Sequence, residues 1–210
     1  MKAPRLHSGF WAFGAAVFVA LGCGATRADA APDSADGPQR LIAAYPGIVK
    51  AIAGKDVVFT DGTTLPLDDG GGDKPFASWL ADPDIDDMFR LAYPAGAAAS
   101  PPARDFDPGR ARNAAFFAKV YGDCRQGGVV DKLVSVRWLP KKYGRAIKIT
   151  LVNGVADKLR AVSDELDRLP PRFDRYLFPI GGTYACRTIA GTTAPSAHGY
   201  GIAIDIALKY

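Results

Sequence analysis

LVSVRWLPKKYGRAIKITLVNGVADKLRAVSDELDRL, residues 133–169, decides the fold class. Leu133 to Leu139 alternates apolar and polar side chains, the period of a strand with one buried face. Lys141 to Arg145 carries turn residues, and Ile147, Ile149 and Leu151 then share one side of a second strand. The pair predicts an antiparallel hairpin. Downstream, Val155, Leu159, Val162, Leu166 and Leu169 recur at steps of 4, 3, 4 and 3, one apolar stripe of a helix. Asn153 is placed to cap that helix, and Pro170-Pro171 stops it. An amphipathic helix must cover its stripe, and the hairpin is the nearest partner. The predicted class is α+β, a small antiparallel sheet packed on helices, with an irregular N-terminal extension.

Upstream the signals are shorter. Residues 31–40 are small and polar and read as a flexible leader. Ile48–Ile52 and Val57–Leu67 read as short strands, with turn signals at Gly54-Lys55-Asp56 and Asp61-Gly62. Asp84–Leu91 suggests a short helix with Ile85, Met88 and Phe89 on one face, and Arg110–Tyr121 has helical spacing. Pro94 to Pro108 is rich in Ala, Pro and Gly and marks a subdomain boundary. The expected organisation is a signal peptide over 1–30, an extension over 31–108 and a second domain over 109–210.

The leader assignment comes from composition. Lys2 and Arg5 precede Phe10–Ala25, sixteen residues without a charge, and Ala28-Asp29-Ala30 fits a signal-peptidase site. Sixteen apolar residues are short for about 30 Å of hydrocarbon, so a retained span is the weaker alternative. Lipidation at Cys23 is another, although Leu21 sits one place off the usual pattern. Net charge is +4; losing Lys2, Arg5, Arg27 and Asp29 with the leader leaves 23 basic and 21 acidic residues. A surplus of two, with no basic run, argues against nucleic acid as a partner. The chain is expected to be exported, periplasmic or secreted, and monomeric, with no membrane span after cleavage. Two cysteines remain, Cys124 and Cys186. In an oxidising compartment they are expected to pair, for about 4 kcal/mol in the chain-entropy model. Two separate buried thiols are the alternative.

The last thirty residues carry the chemistry. Ser196-Ala197-His198-Gly199-Tyr200-Gly201-Ile202-Ala203-Ile204-Asp205 follows Gly181-Gly182-Thr183-Tyr184-Ala185-Cys186-Arg187. Taken as a strand, Gly201 to Ile206 points three isoleucines into a core and leaves Asp205 beside Gly201 and Ala203. A carboxylate in that setting needs a cationic partner. His198, from a glycine-flanked turn, can fold back towards it, and an imidazole and a carboxylate converging on one space form half a metal site. A pairing of Asp205 with Arg187, with His198 on a surface loop, satisfies the same residues.

The Ser-x-His-x-x-Gly-x-Ala-x-Asp pattern resembles the signature of the zinc D-Ala-D-Ala carboxypeptidase family, which includes VanY-like carboxypeptidases, related dipeptidases and L-alanyl-D-glutamate endopeptidases. The Gly-Thr-Tyr-x-x-Arg approach at Gly182–Arg187 resembles a branch of it. The resemblance implies zinc held by His198 and Asp205, substrate contacts from Ser196 and Tyr184, and Arg187 steadying the oxyanion of a hydrolysed amide. The implied substrate is a peptidoglycan stem peptide.

A catalytic zinc needs three protein ligands and an open position. The resemblance implies a second histidine and an acidic general base further along. This chain has only His7 and His198, and Glu165 is its single glutamate, on the polar part of the helix. The expectation is therefore a C-terminally incomplete peptidase, weak in zinc binding and inactive alone. A thiol peptidase using Cys186, His198 and Asp205, and a degenerate non-catalytic peptidoglycan-binding module, are the competing readings.

Overall fold

The structure is a computed structural model that describes residues 37–93, 96 and 100–207. The signal-peptide assignment and Cys23 lie outside the described residues. Helix α1 (Gly37–Ala44) leads into strands β1 (Val49–Ala53), β2 (Asp56–Phe59) and β3 (Thr64–Pro66), paired antiparallel in the order β1-β2-β3. Helix α2 (Phe76–Ala81), a 3-10 turn at Asp86–Phe89 and helix α3 (Ala114–Tyr121) follow. The hairpin is β4 (Leu133–Trp138) with β5 (Arg145–Thr150), and helix α4 (Val155–Leu166) comes next. The fold is α+β with two small antiparallel sheets.

Helix α1 corrects the reading of residues 31–40 as a leader over 37–40; residues 31–36 lie outside the described residues. From Gly37 the chain is helical, and Leu41 is buried in a core the short-range signals did not reveal. The strands near Ile48 and Val57 form as expected, with Thr60–Thr63 interrupting the second run. Helix α3 starts at Ala114, later than the spacing suggests, because the Asn113 side chain accepts from Phe116 N and fixes the start there.

The hairpin and α4 pack as predicted, but the contact face is rotated. Val162, expected in the apolar stripe, is 49% exposed, while Ser163 and Asp167 are buried. The reason is the loop 139–144. Leu139 sits at φ +46 and its amide turns inward, donating to Ser163 Oγ at 2.8 Å. Lys141 N and Lys142 N donate to the two carboxylate oxygens of Asp167 at 2.9 and 3.0 Å. Buried amides must be paired, so the helix presents two polar side chains where hydrophobic periodicity alone calls for Val162. Asn153 is a second correction. It lies at φ +54 outside the helix, Gly154 takes the cap position, and the Asn153 amide donates to Ala44 O at the end of α1.

Two cores result. One gathers Leu41, Val49, Val57, Phe59, Ile85, Phe116, Val120, Tyr121 and Tyr200. It therefore crosses position 108 and joins the N-terminal strands to α3. The other lies between the hairpin, α4 and residues 177–180, around Val136, Trp138, Leu139, Ile147 and Ile149. Removing the Asp167 carboxylate should expose how far the second core depends on it. Asp167→Ala leaves two amides unpaired and is expected to cost about 2–4 kcal/mol in urea unfolding. A loss below about 0.5 kcal/mol would mean that the turn holds itself.

Candidate metal half-site

The segment Ser196–Asp205 is not a strand. Ser196 opens a 3-10 turn over Ala197–Tyr200, its hydroxyl accepting from His198 N at 3.4 Å. Beyond the turn only Asp205 pairs, in an isolated antiparallel bridge with Gly182. The three isoleucines accordingly diverge. Ile202 packs on the first core, Ile204 on the second, and Ile206 is 44% exposed. The segment stitches two cores together, which breaks the alternation a single sheet face requires.

What brings His198 and Asp205 together is the stretch Gly181–Ala185. Gly181 N donates to Asp205 O at 2.8 Å and Asp205 N to Gly182 O at 3.0 Å. Ala185 N donates to His198 O at 3.2 Å, and the His198 ring meets Thr183 O through Nδ1 at 2.5 Å. One extended backbone thus holds the carboxylate-bearing residue and the imidazole side by side, and Nε2 lies 3.3 Å from Asp205 Oδ1. The imidazole side chain is 9% exposed and the Asp205 side chain 53%. The pair sits at a surface with its histidine rooted inside.

The Thr183 contact sets the tautomer. A carbonyl oxygen only accepts, so Nδ1 carries the proton. In a neutral ring Nε2 then turns a bare lone pair towards a carboxylate oxygen. Two acceptors at that separation need a positive species between or upon them, either a second ring proton or a metal cation. Zn–N and Zn–O bonds of about 2.0–2.2 Å in a tetrahedron set two donors about 3.3–3.4 Å apart. The donor types and their spacing fit one edge of a zinc site. Among the described residues no third His, Cys, Asp or Glu joins them. Glu165 is exposed on α4, as expected.

The remaining site residues fall around this pair. Arg187 O accepts from Ser196 N at 2.9 Å, so both stand at the base of one small hairpin closed by the Thr188–Pro195 bridge. The Arg187 side chain is exposed and makes no ion pair among the described residues. Ser196 is buried and its hydroxyl serves the turn. Tyr184 lines a cleft of about 240 Å³ with Arg145, Lys148 and Thr183. The Thr183 carbonyl, which orients the imidazole, has no signature in sequence because any residue supplies it.

Cys124 and Cys186 form a disulfide across a separation of 62 residues. It backs the histidine turn: a Cβ on Gly199 would lie 3.2 Å from Cys124 Sγ. A thiol nucleophile has to be free, so the thiol-peptidase reading fails on this bond. Thiol labelling of the folded protein should leave both cysteines unmodified, and Cys186→Ser should cost about 2–5 kcal/mol. Modification of either in the native state would reopen that reading.

One acidic cluster, Asp68, Asp69 and Asp84, brings three carboxylates within reach of a common ion. Lys74 Nζ is already there, 2.8 Å from Asp69, 3.2 Å from Asp84 and 2.9 Å from Asp87. The ammonium occupies two of these three carboxylates, Asp69 and Asp84, together with Asp87. Compared with protein-family models, curated proteins and solved structures, the chain gave no match in any of the three. Among the described residues no helix is long and apolar enough to cross a membrane, and the disulfide is compatible with an exported protein.

Gly201 locks the turn onto β5. Thr150 N donates to Gly201 O at 2.8 Å, φ is +68, and a Cβ there would fall 2.6 Å from Leu133 Cδ2. Gly191 has a similar φ of +75 with nothing within 4 Å. Both Gly→Ala changes carry the backbone cost of about 1 kcal/mol, and Gly201→Ala adds a smaller cost, because Leu133 Cδ2 must swing aside and the Thr150 backbone N lies 3.3 Å from the new Cβ. Equal melting shifts for the two variants would show that the close packing at Gly201 is not constraining.

Proposed function

We propose that the chain is of the zinc-peptidase type directed at peptide stems of peptidoglycan, in the periplasm or outside the cell, and that with His198 and Asp205 as its two donors it binds zinc weakly and turns over no substrate by itself. The observation that carries the reading is the facing pair. His198, its tautomer set by Thr183, turns Nε2 towards Asp205 Oδ1 at a distance that matches one edge of a zinc site. The resemblance of Ser196–Asp205 to the zinc D-Ala-D-Ala carboxypeptidase signature points the same way. Zinc, when bound, supplies a Lewis acid and lowers the pKa of a bound water.

The chain's own residues have distinct tasks in this reading. His198 and Asp205 hold the metal. Thr183 orients the imidazole, as an outer hydrogen-bond acceptor does for a metal-bound histidine. Arg187, anchored through its backbone to Ser196, offers a permanently charged fork of donors to the oxyanion of the scissile amide. Tyr184, with Arg145 and Lys148 in the same cleft, provides substrate contacts.

A second reading has its own support. Only two protein donors stand together among the described residues, and a catalytic zinc needs three. That count favours a non-catalytic peptidoglycan-binding module built on the same cleft. One set of measurements separates the two. Isothermal titration with zinc should show one weak site, in the micromolar range or above, lost in His198→Ala and in Asp205→Ala. Stem-peptide hydrolysis that chelation abolishes would overturn the expected inactivity and show an active peptidase. Retention on insoluble peptidoglycan with neither zinc binding nor hydrolysis would establish the binding module. Absence of any zinc binding by the wild-type chain would end the metal reading.

A further inference from the structure

A cleft of about 410 Å³ lies where the end of α2, the segment before α3 and the loop 189–195 meet. That volume falls within the range of small-ligand sites. His198 and Asp205 are not on its walls, but Pro195 and Tyr200, which flank the histidine turn, are. Its charge is one-sided. Arg110, Arg112 and Arg125 all line it, against Asp82 as the one acidic residue of the lining.

The three guanidinium groups differ in their compensation. Arg110 has Asp107 at 3.2 Å and Arg125 has Asp123 at 3.7 Å, both pairs partly exposed. Arg112 is half-buried, donates to Gly109 O at 2.8 Å and makes no ion pair among the described residues. Burial first, then the neighbouring Arg110, push its pKa below the ordinary arginine value. Arginine nevertheless remains charged, so the fold withdraws the Arg112 cation from water with no direct ion-pair partner among the described residues, Asp107 acting on it only from a distance. Tyr200, 3% exposed, adds a phenol to the wall. The N-terminal end of α3, with Ala114 and Ala115 on the lining, adds partial positive charge. The lining also includes Leu80, Pro83, Ile189 and Pro195. A ligand that suits this cleft carries an anionic group and aliphatic or peptide surface together.

We infer that this cleft is a subsite for the carboxylate of an acidic peptide, with Arg112 receiving the carboxylate and Arg110 and Arg125 drawing it in. A planar fork presents two parallel donors to a carboxylate, which an ammonium cannot do. The inference rests on the proposed function only for the choice of peptide, since stem peptides carry free carboxylates. The cleft then takes the acidic portion of a chain whose scissile bond lies at the histidine turn.

The test uses the whole disulfide-bonded chain and calorimetric titration with three probes: the tripeptide L-alanyl-γ-D-glutamyl-L-lysine, its carboxyl-amidated form, and inorganic phosphate. The free acid should bind, and amidation should weaken it about tenfold or more. Arg112→Gln should cause a similar loss and Arg112→Lys a smaller one. Should Arg112→Gln fail to fold, as judged by circular dichroism, the double change to Gln of Arg110 and Arg125, the two more exposed arginines of the lining, should still weaken binding severalfold and flatten its salt dependence. Equal binding of the amidated peptide, or unchanged binding in folded arginine variants, overturns the inference. So does displacement of the tripeptide by an equal concentration of phosphate, which reassigns the cleft to phosphate. Zinc titration of the same sample separates the two proposals. Tripeptide binding without zinc binding removes the metal reading alone, and zinc binding without tripeptide binding removes the subsite alone.

Discussion

The antiparallel bridge between Gly182 and Asp205, continued by the hydrogen bonds of Thr183 and Ala185 to His198, is the constraint on which the site depends. It is a backbone device. Neither Asp205 nor His198 is positioned by regular secondary structure, because the segment between them is a 3-10 turn and an extended stretch with no ladder of its own. A single strand of template residues supplies donors and acceptors to both. The geometry of the pair follows from peptide spacing rather than from side-chain choice.

The surrounding fold serves to hold that template. The histidine turn is packed from one side by the disulfide at Gly199 and tied from another by Thr150 N at Gly201. Tyr200 packs against Phe117 and Tyr121 with tilted rings, centroids 5.5 and 6.4 Å away, so the turn is rooted in the core shared with the N-terminal strands. Ile204 enters the other core under α4. The same ten residues therefore carry the candidate chemistry and the seam between two hydrophobic clusters. Changes there act on stability and on the site together, which is why the stability and binding measurements belong side by side.

Charge is distributed with similar economy. Lys74 draws Asp69, Asp84 and Asp87 around one ammonium near the N-terminal sheet, a cluster that stays net acidic. Around Arg112 three arginines line one cleft next to the histidine turn, and two of them, Arg110 and Arg125, have aspartate partners. A partly buried charge without a direct partner, as at Arg112, is costly for a fold that gains nothing from it. The two clusters use the same residue types differently, one as a structural clasp and one as the lining of an open cleft.

Much of this was legible along the chain. The period-2 runs of 133–151 and the helical stripe after Asn153 specify a hairpin under a helix, and burial of an apolar face leaves few other arrangements. The cysteine pairing was the favoured expectation for two cysteines following an expected export signal, and the disulfide bears it out. His198 and Asp205 stood out as residues whose chemistry asks for partners. Tertiary structure alone decided the rest. Ser163 and Asp167 displaced Val162 from the helix interface because amides at Leu139, Lys141 and Lys142 needed acceptors, a demand that no local pattern records. Gly201–Ile206 abandoned the strand its alternation suggested, since its isoleucines serve two cores instead of one. The tautomer of His198 was set by a backbone carbonyl fifteen residues away, and Arg112 and Arg125 came to line one cleft that no spacing predicts. Periodicity reports what a segment must bury; hydrogen-bond pairing between distant segments determines where its functional groups point.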